Sequence, residues 1–327
     1  MSANVSFGLS LPNRAVLFGL DVGVLMETAD AAERCGAFDS IWVGDNFLSK
    51  PRLEALVTLS AIAARTRRVR LGTVCLASFP LRDPLAFAIQ WASLDVLSGG
   101  RTICGVCIGG SARLGPAFAA ELAAFGVDSN ERPARMEEGI ELLRLFWGRD
   151  LVSYRGRFWS YEAVQALPKP VQASVPIIIA VNPEPAAKPS LVERALRRVA
   201  RLANGWQTDG TPPEVFRDRW QMVQMYAEEY GRAHEVTDAS LHLMVNIADD
   251  ANAARRESVG FLDRYYGTGT VGDEFLENWL AFGAPEAVAE KIKLFIDAGC
   301  TTPILRFTSI DQRRQLERCV DEVLPLL

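Results

Sequence analysis

The chain repeats one pattern from end to end: a short apolar run rich in β-branched residues, a polar or small-residue loop, then an amphipathic segment of helical length. Apolar runs lie at 5–11, 40–44, 69–76, 102–108, 175–181, a short one ending at 205–206, 241–247 and 303–307. Helical spacing fills the gaps, as in 21–35, which stops at Gly36, and in 285–298, which stops at Gly299. Parallel strands need crossover connections of about this length. Eight such units in one chain predict a (β/α)8 TIM barrel of class α/β, at a length of 327 residues that leaves room for insertions. A doubly wound open sheet would want a glycine-rich fingerprint after the first strand, and Leu11-Pro12-Asn13-Arg14 is not one.

The rhythm fails once. Residues 149–173 are rich in aromatics and turns, with a hairpin signal at Arg155-Gly156, and are expected to cross the barrel mouth as an insertion. Internal repeats and low-complexity linkers are missing, so residues 1–327 read as a single domain. Helices are expected in 114–147 with a break around 126–133, in 191–203, 214–231 and 250–266, within 273–282 and in 311–324.

Two strands end in small residues, Leu76-Ala77-Ser78 and Ile108-Gly109-Gly110-Ser111. Ligands of parallel α/β folds sit at the carboxyl ends of the strands, and small residues let a flat or phosphorylated ligand approach the backbone. The floor of a site is expected there. The net charge of −5, from 35 Lys and Arg against 40 Asp and Glu, offers no footprint for nucleic acid or an anionic membrane. No apolar run is long enough to span a bilayer and the first residues lack a signal-peptide pattern, so a cytoplasmic protein is expected. Only His234 and His242 are histidines, and no metal site is expected. The six cysteines are scattered and are expected to be reduced thiols. Cys104 and Cys107 have redox-pair spacing, but positions three apart on a strand face opposite ways.

Several segments together resemble the bacterial luciferase-like flavin- or deazaflavin-dependent oxidoreductases. They are A-A-E-R-C-G-A-F-D-S-I-W-V from Ala31, A-A-R-T through L-G-T at 63–73, L-D with S-G-G-R at 94–101, the strand at 105–109, Arg132 with Glu138, 168–172, and Asn204-Gly205-Trp206. The resemblance implies reduced FMN, or alternatively coenzyme F420, lying in the barrel mouth of a dimer. It also implies a non-prolyl cis peptide within 75–78. Val74, Cys75, Ala77 and Ser78 would back the ring, Gly105, Ile108, Gly109 and Gly110 would run beside the cofactor, and Ala180, Val181 and Asn182 would help hold its tail. By the same resemblance the leading expectation is a monooxygenase acting on a small organic substrate, supplied with reduced FMN by a flavin reductase. F420-dependent hydride transfer is the alternative, and a non-catalytic flavin-binding barrel the third reading.

The chain also departs from the family. Asp45-Asn46 stands where many members carry Asp-His, and an asparagine can hydrogen-bond but not act as an acid or base near neutral pH. Gly110-Ser111 stands where members that oxidise phosphorylated sugars carry glutamate, Ala180-Val181-Asn182 replaces the usual Gly-Gly, and Arg82-Asp83-Pro84 replaces Arg-His-Pro. Asn46 and Asp45 are the catalytic candidates; Asp45 reads equally as an acceptor for loop amides. Trp159, His242 and Arg306 are the substrate candidates. Trp159 reads alternatively as packing of the insertion, His242 as a satisfied core histidine, and Arg306 as the partner of Asp297 or Asp311. Trp42 reads as core filling.

Overall fold

The computed structural model describes residues 5–183, 187–269 and 271–327. Glu184 and Pro185, expected to close the loop after the fifth barrel strand, lie outside the described residues. The strands are β1 (Gly8–Leu11), β2 (Ser40–Asp45), β3 (Arg70–Leu76), β4 (Thr102–Val106), β5 (Val152–Arg155), β6 (Ser160–Val164), β7 (Ile177–Ala180), β8 (Gly205–Asp209), β9 (Asp238–Ile247), β10 (Leu280–Gly283) and β11 (Thr302–Phe307). The α-helices are α1 (Val22–Cys35), α2 (Ala55–Arg65), α3 (Pro84–Ser98), α4 (Pro116–Ala124), α5 (Arg132–Gly148), α6 (Pro189–Leu202), α7 (Pro213–Glu229), α8 (Ala251–Tyr266), α9 (Asp273–Trp279), α10 (Pro285–Asp297) and α11 (Gln312–Arg318).

Local chemistry sets the ends. Asp21, Asp83 and Asp250 cap α1, α3 and α8 by accepting from backbone amides of the first turn. Proline opens α3, α4, α6, α7 and α10, where its missing N–H costs nothing. Helix α1 ends at Gly36, whose φ of 73° suits a residue without a side chain.

β1, β2, β3, β4, β7, β8, β9 and β11 pair in parallel and close a barrel through the β8–β9 and β11–β1 ladders. The expected (β/α)8 barrel is therefore present. β9 is longer than its neighbour's pairing requires. β8 takes it up as far as His242, and the remaining Met244–Ile247 edge is covered by β10. The helix expected within 273–282 is α9, which ends at Trp279. The residues L-A-F-G that follow it extend along that open edge.

The strands are buried on both faces, so they read as continuous apolar runs rather than alternating ones. On β2, Ile41 and Val43 meet the helices while Trp42 points inward. Trp42 joins Ile103, Ile178 and Ile304 in a separate interior cluster. Side-chain carbons added at Gly8 or Gly72 would stand within 2.5 Å of its indole, so the ring fills the space both glycines leave open. Its Nε1 donates to Ser40 Oγ at 2.8 Å.

β5 and β6 form the expected antiparallel hairpin, but the insertion does not cross the mouth. It is held on the outer flank of α3 and α5. Lys169 donates to the Phe146 carbonyl, Gln172 to Asp95, and the amides of Phe158 and Trp159 to the Glu138 carboxylate. Buried acceptors on those two helices draw the segment to the outside. Trp42→Ala is expected to lower the unfolding free energy by about 3–5 kcal/mol, because the barrel wall cannot collapse into the void; denaturant melts read this directly.

Candidate active site

A cavity of about 560 Å³ opens at the carboxyl ends of the barrel strands. A larger hollow of about 810 Å³ lies outside the barrel, between α5, the hairpin and Arg201-Leu202. No barrel-strand residue lines it, so the mouth is the candidate site. The floor of the mouth comes from β3 and β4 and their loops: Val74, Cys75, Ala77, Cys107, Ile108 and Gly109. The Val74–Cys75 peptide is cis, one bond before the stretch in which a cis peptide was expected. Gly109 has φ 68°, and a side-chain carbon there would lie 2.3 Å from the Ala77 carbonyl oxygen. Only glycine fits this close approach of the two loops. Arg132, at the start of α5, donates to the carbonyls of Ile108 and Gly109 at 3.1 and 2.6 Å and fixes the β4 loop from behind.

Cys75 and Cys107 are joined by a disulfide, their Cα atoms 6.0 Å apart. All-reduced thiols had been expected. The two residues are 32 apart in sequence and meet only because β3 and β4 are adjacent. Cys104 faces the helical layer, and burial raises its thiol pKa. It takes no part.

Asp45 is buried and fully engaged. One oxygen accepts from the Ser78 amide at 2.9 Å, and the other accepts from Arg82 at 3.0 Å. Arg82 also donates to Ser78 Oγ and Glu54. Asp45 thus ties the ends of β2 and β3 together, with both carboxylate oxygens accepting hydrogen bonds. Asn46 borders the cavity. Its Oδ1 accepts from Arg52 at 3.1 Å and its Nδ2 donates to Ser49 at 3.0 Å, leaving one N–H of the amide. Glu121 of α4 holds this loop by accepting from the amides of Leu48 and Ser49.

Across the ring of eight strands, β9 stands opposite β3 and β11 opposite β4. From that far wall come His242 and Arg306, both buried and both lining the cavity. His242 Nε2 has no hydrogen-bond partner among the described residues. Desolvation, then Arg306 and Arg52, hold its pKa well below the ordinary 6.5, so the imidazole is neutral at neutral pH. The alternative of a satisfied core histidine does not hold. Arg306 pairs with neither Asp297 nor Asp311; its guanidinium donates to Ser10 Oγ and Tyr266 Oη. Gln207 of β8 also lines the cavity, with a buried Nε2 that finds no partner among the described residues. Lys50 completes the wall. Burial, and then Arg52 and Arg14, pull its pKa from 10.5 to about 8 against the pull of Asp209.

Several expected contacts are absent from the lining. Ser78 is buried, with its hydroxyl turned to Arg82. Gly105 is pressed against the Thr73 carbonyl, and Gly110 is covered by Phe118. Trp159 stays with the hairpin, packed on Arg135. Ala180, Val181 and Asn182 do line the cavity, but Asn182 spends its amide on Asp209, Arg219 and Thr211. Lys50, Arg52, Gln207, Asp209 and Tyr266 line it without having been foreseen. The run S-K-P-R at 49–52 carried only a loop signal. Among the described residues no His, Cys, Asp and Glu cluster could hold a metal ion, and no helix is long and apolar enough to cross a membrane.

A family model described as luciferase-like monooxygenase matches residues 7–302. An F420-dependent glucose-6-phosphate dehydrogenase of Amycolatopsis mediterranei is 28% identical over 93% of this chain and 94% of its own. The monooxygenase RslO1 of Streptomyces bottropensis has the same fold, with a TM-score of 0.80 at 22% identity over 98% of this chain and 99% of its own. An F420-dependent secondary alcohol dehydrogenase solved with an F420–acetone adduct superposes with a TM-score of 0.81 at 17% identity, over 99% of both chains.

Two measurements check this geometry. Thiol titration of the unfolded, unreduced chain is expected to find the four free cysteines Cys35, Cys104, Cys300 and Cys319, and six after reduction. Acylation of Lys50, followed by mass spectrometry, is expected to rise with a midpoint near pH 8. The folded state holds this proton less tightly than the unfolded chain, so Lys50's contribution to stability rises between about pH 8 and 10.5 and is smallest below 8.

Proposed function

Because this chain belongs to the luciferase-like monooxygenase family, we propose that it is an oxidoreductase that binds the deazaflavin F420 in the barrel mouth and acts on a small organic substrate. The observation that carries this reading is a neutral, buried imidazole, His242, lining the same cavity as the apolar floor of Val74, Ala77 and Gly109. The full-length relative named as F420-dependent supports the choice of cofactor. The cavity suits a flat heterocycle, with small residues on one wall and, on the other, polar atoms of Gln207 and His242 that have no partner among the described residues.

When bound, F420 supplies a site that accepts or donates hydride. The protein does the rest. Val74, Cys75, Ala77, Ile108 and Gly109 would back the ring, with Ala180, Val181 and Asn182 toward the tail. The remaining N–H of Asn46 orients a carbonyl oxygen, held in place by Arg52 and Ser49. His242 accepts the proton of a substrate hydroxyl, or returns it to a carbonyl oxygen. Burial, and then Arg306 and Arg52, disfavour the imidazolium, so the ring rests neutral between turnovers. Gly110-Ser111 replaces the glutamate of sugar-oxidising members, so glucose 6-phosphate is not carried over from the relatives.

Reduced FMN with a monooxygenase reaction is the second reading, supported by the description of the matching family. A flavin reductase would then be the partner. In either reading we take residues 1–327 as one catalytic domain of a cytoplasmic homodimer. Titration of the purified chain is expected to show F420 binding at least about tenfold tighter than FMN. His242→Asn is expected to lower kcat about 10²- to 10⁴-fold with little change in F420 affinity. Tighter binding of reduced FMN together with oxygen-dependent turnover would replace the F420 reading.

A further inference from the structure

Three cations meet in the mouth with no carboxylate bound to them among the described residues. Arg306 is 1% exposed, and its hydrogen-bond partners are the hydroxyls of Ser10 and Tyr266. Arg52 donates to the Asn46 side-chain oxygen and the Lys50 carbonyl, both neutral. Lys50 Nζ lies 4.6 Å from the Tyr266 ring centre. The two guanidinium groups approach each other across Gly44: a side-chain carbon there would be 2.2 Å from Arg52 Nη1 and 3.7 Å from Arg306 Nη2. Among the described residues neither of the cavity's own carboxylates forms an ion pair with them, although Asp209 attracts Lys50 through space. Asp45 is closed off by Arg82 and the Ser78 amide, and Asp209 takes a hydrogen bond from Asn182.

Like charges side by side repel, and a buried guanidinium without a counter-charge is costly. Such an arrangement is stabilised when an oxyanion enters between the forks and accepts from both. Gln207 adds a buried donor to the same cavity. The cluster stands on β11 and the loop after β2, and β11 is the strand opposite β4 of the cofactor floor.

We propose that Arg306, Arg52 and Lys50 form a recognition subsite for a carboxylate or phosphate group carried by the substrate. This names the substrate class for the oxidoreductase proposed above and rests on that reading. An anionic end group would be anchored at Arg306 and Arg52, and the reacting carbon would lie between His242 and the β3–β4 floor.

The test uses the full chain with histidine-labelled imidazoles, in which only His234 and His242 give signals. Inorganic phosphate and acetate are titrated into the protein with and without F420. The expected result is a saturable movement of the His242 signal alone, persisting in the F420-loaded protein. Lys50→Gln and Arg306→Gln are expected to weaken phosphate binding about tenfold or more and to change F420 affinity less than about twofold. Folded variants that bind phosphate as well as the parent chain overturn the proposal. So do loss of F420 affinity in step with phosphate affinity, or displacement of phosphate by F420, because the cluster would then serve the cofactor. Lys50, on a half-buried loop, decides the matter if the Arg306 variant does not fold. If F420 does not bind the parent chain while phosphate behaves as stated, the cofactor reading falls and the subsite stands.

Discussion

The pairing of β1 with β11 is the constraint on which the mouth of this protein depends. Gly8 and Leu9 lie beside Ile304 and Leu305, so the first and last strands of the chain are neighbours. The ladder satisfies backbone groups that an open sheet would leave exposed at both edges. It also places Ser10 beside Arg306, from positions 296 residues apart. Ile304 points inward to the cluster around Trp42, and Arg306, two residues on, must point inward as well. The alternation of the strand thus drives a guanidinium into the barrel, where the Ser10 hydroxyl, the face of Tyr265 and the Tyr266 hydroxyl receive it.

Around that pairing, buried polar groups serve as braces. Asp45, Arg82 and Ser78 lock the ends of β2 and β3, Glu121 holds the loop of Asn46 and Lys50, and Arg132 holds the loop of Gly109. Glu121 and Arg132 spend their hydrogen bonds on the backbone, while Asp45 and Arg82 spend theirs on each other, on Ser78 and, for Arg82, on Glu54. Among the described residues that line the cavity, His242 and Gln207 each keep a buried polar atom without a partner, and the cations stand beside them. One wall is therefore apolar and the opposite wall is polar and positive. That asymmetry suits a flat cofactor backed on one side and a polar substrate held on the other.

The barrel could be read from the rhythm of apolar runs because strands buried on both faces leave an unbroken β-branched signature, and the helices between them keep a 3.6-residue period. The floor could be read because close approach of β3 and β4 excludes side chains, as Gly109 records. Ser78, Gly105 and Gly110 carry the same signal yet do not line the cavity: a small residue marks close approach, but not whether the neighbour is a ligand or the protein. At Gly105 it is the Thr73 carbonyl, and at Gly110 the Phe118 ring. Lys50 and Arg52 carry no local signal of a site because their surroundings are built by α4 and α8, far away in the chain. The hairpin was recognised from its turn, but its placement depended on Glu138 and Asp95, which carry no signal of what they hold.

The sequence by itself determined the order of strands and helices, the closed barrel and the small-residue floor, since these follow from local periodicity and the sterics of short loops. Tertiary structure alone decided that Cys75 meets Cys107 and that Asp45 is spent on Arg82. It decided too that His242 stands neutral beside Arg306. The physical reason is range: periodicity is a property of neighbours along the chain, whereas charge, burial and hydrogen-bond capacity depend on which strands the barrel brings face to face.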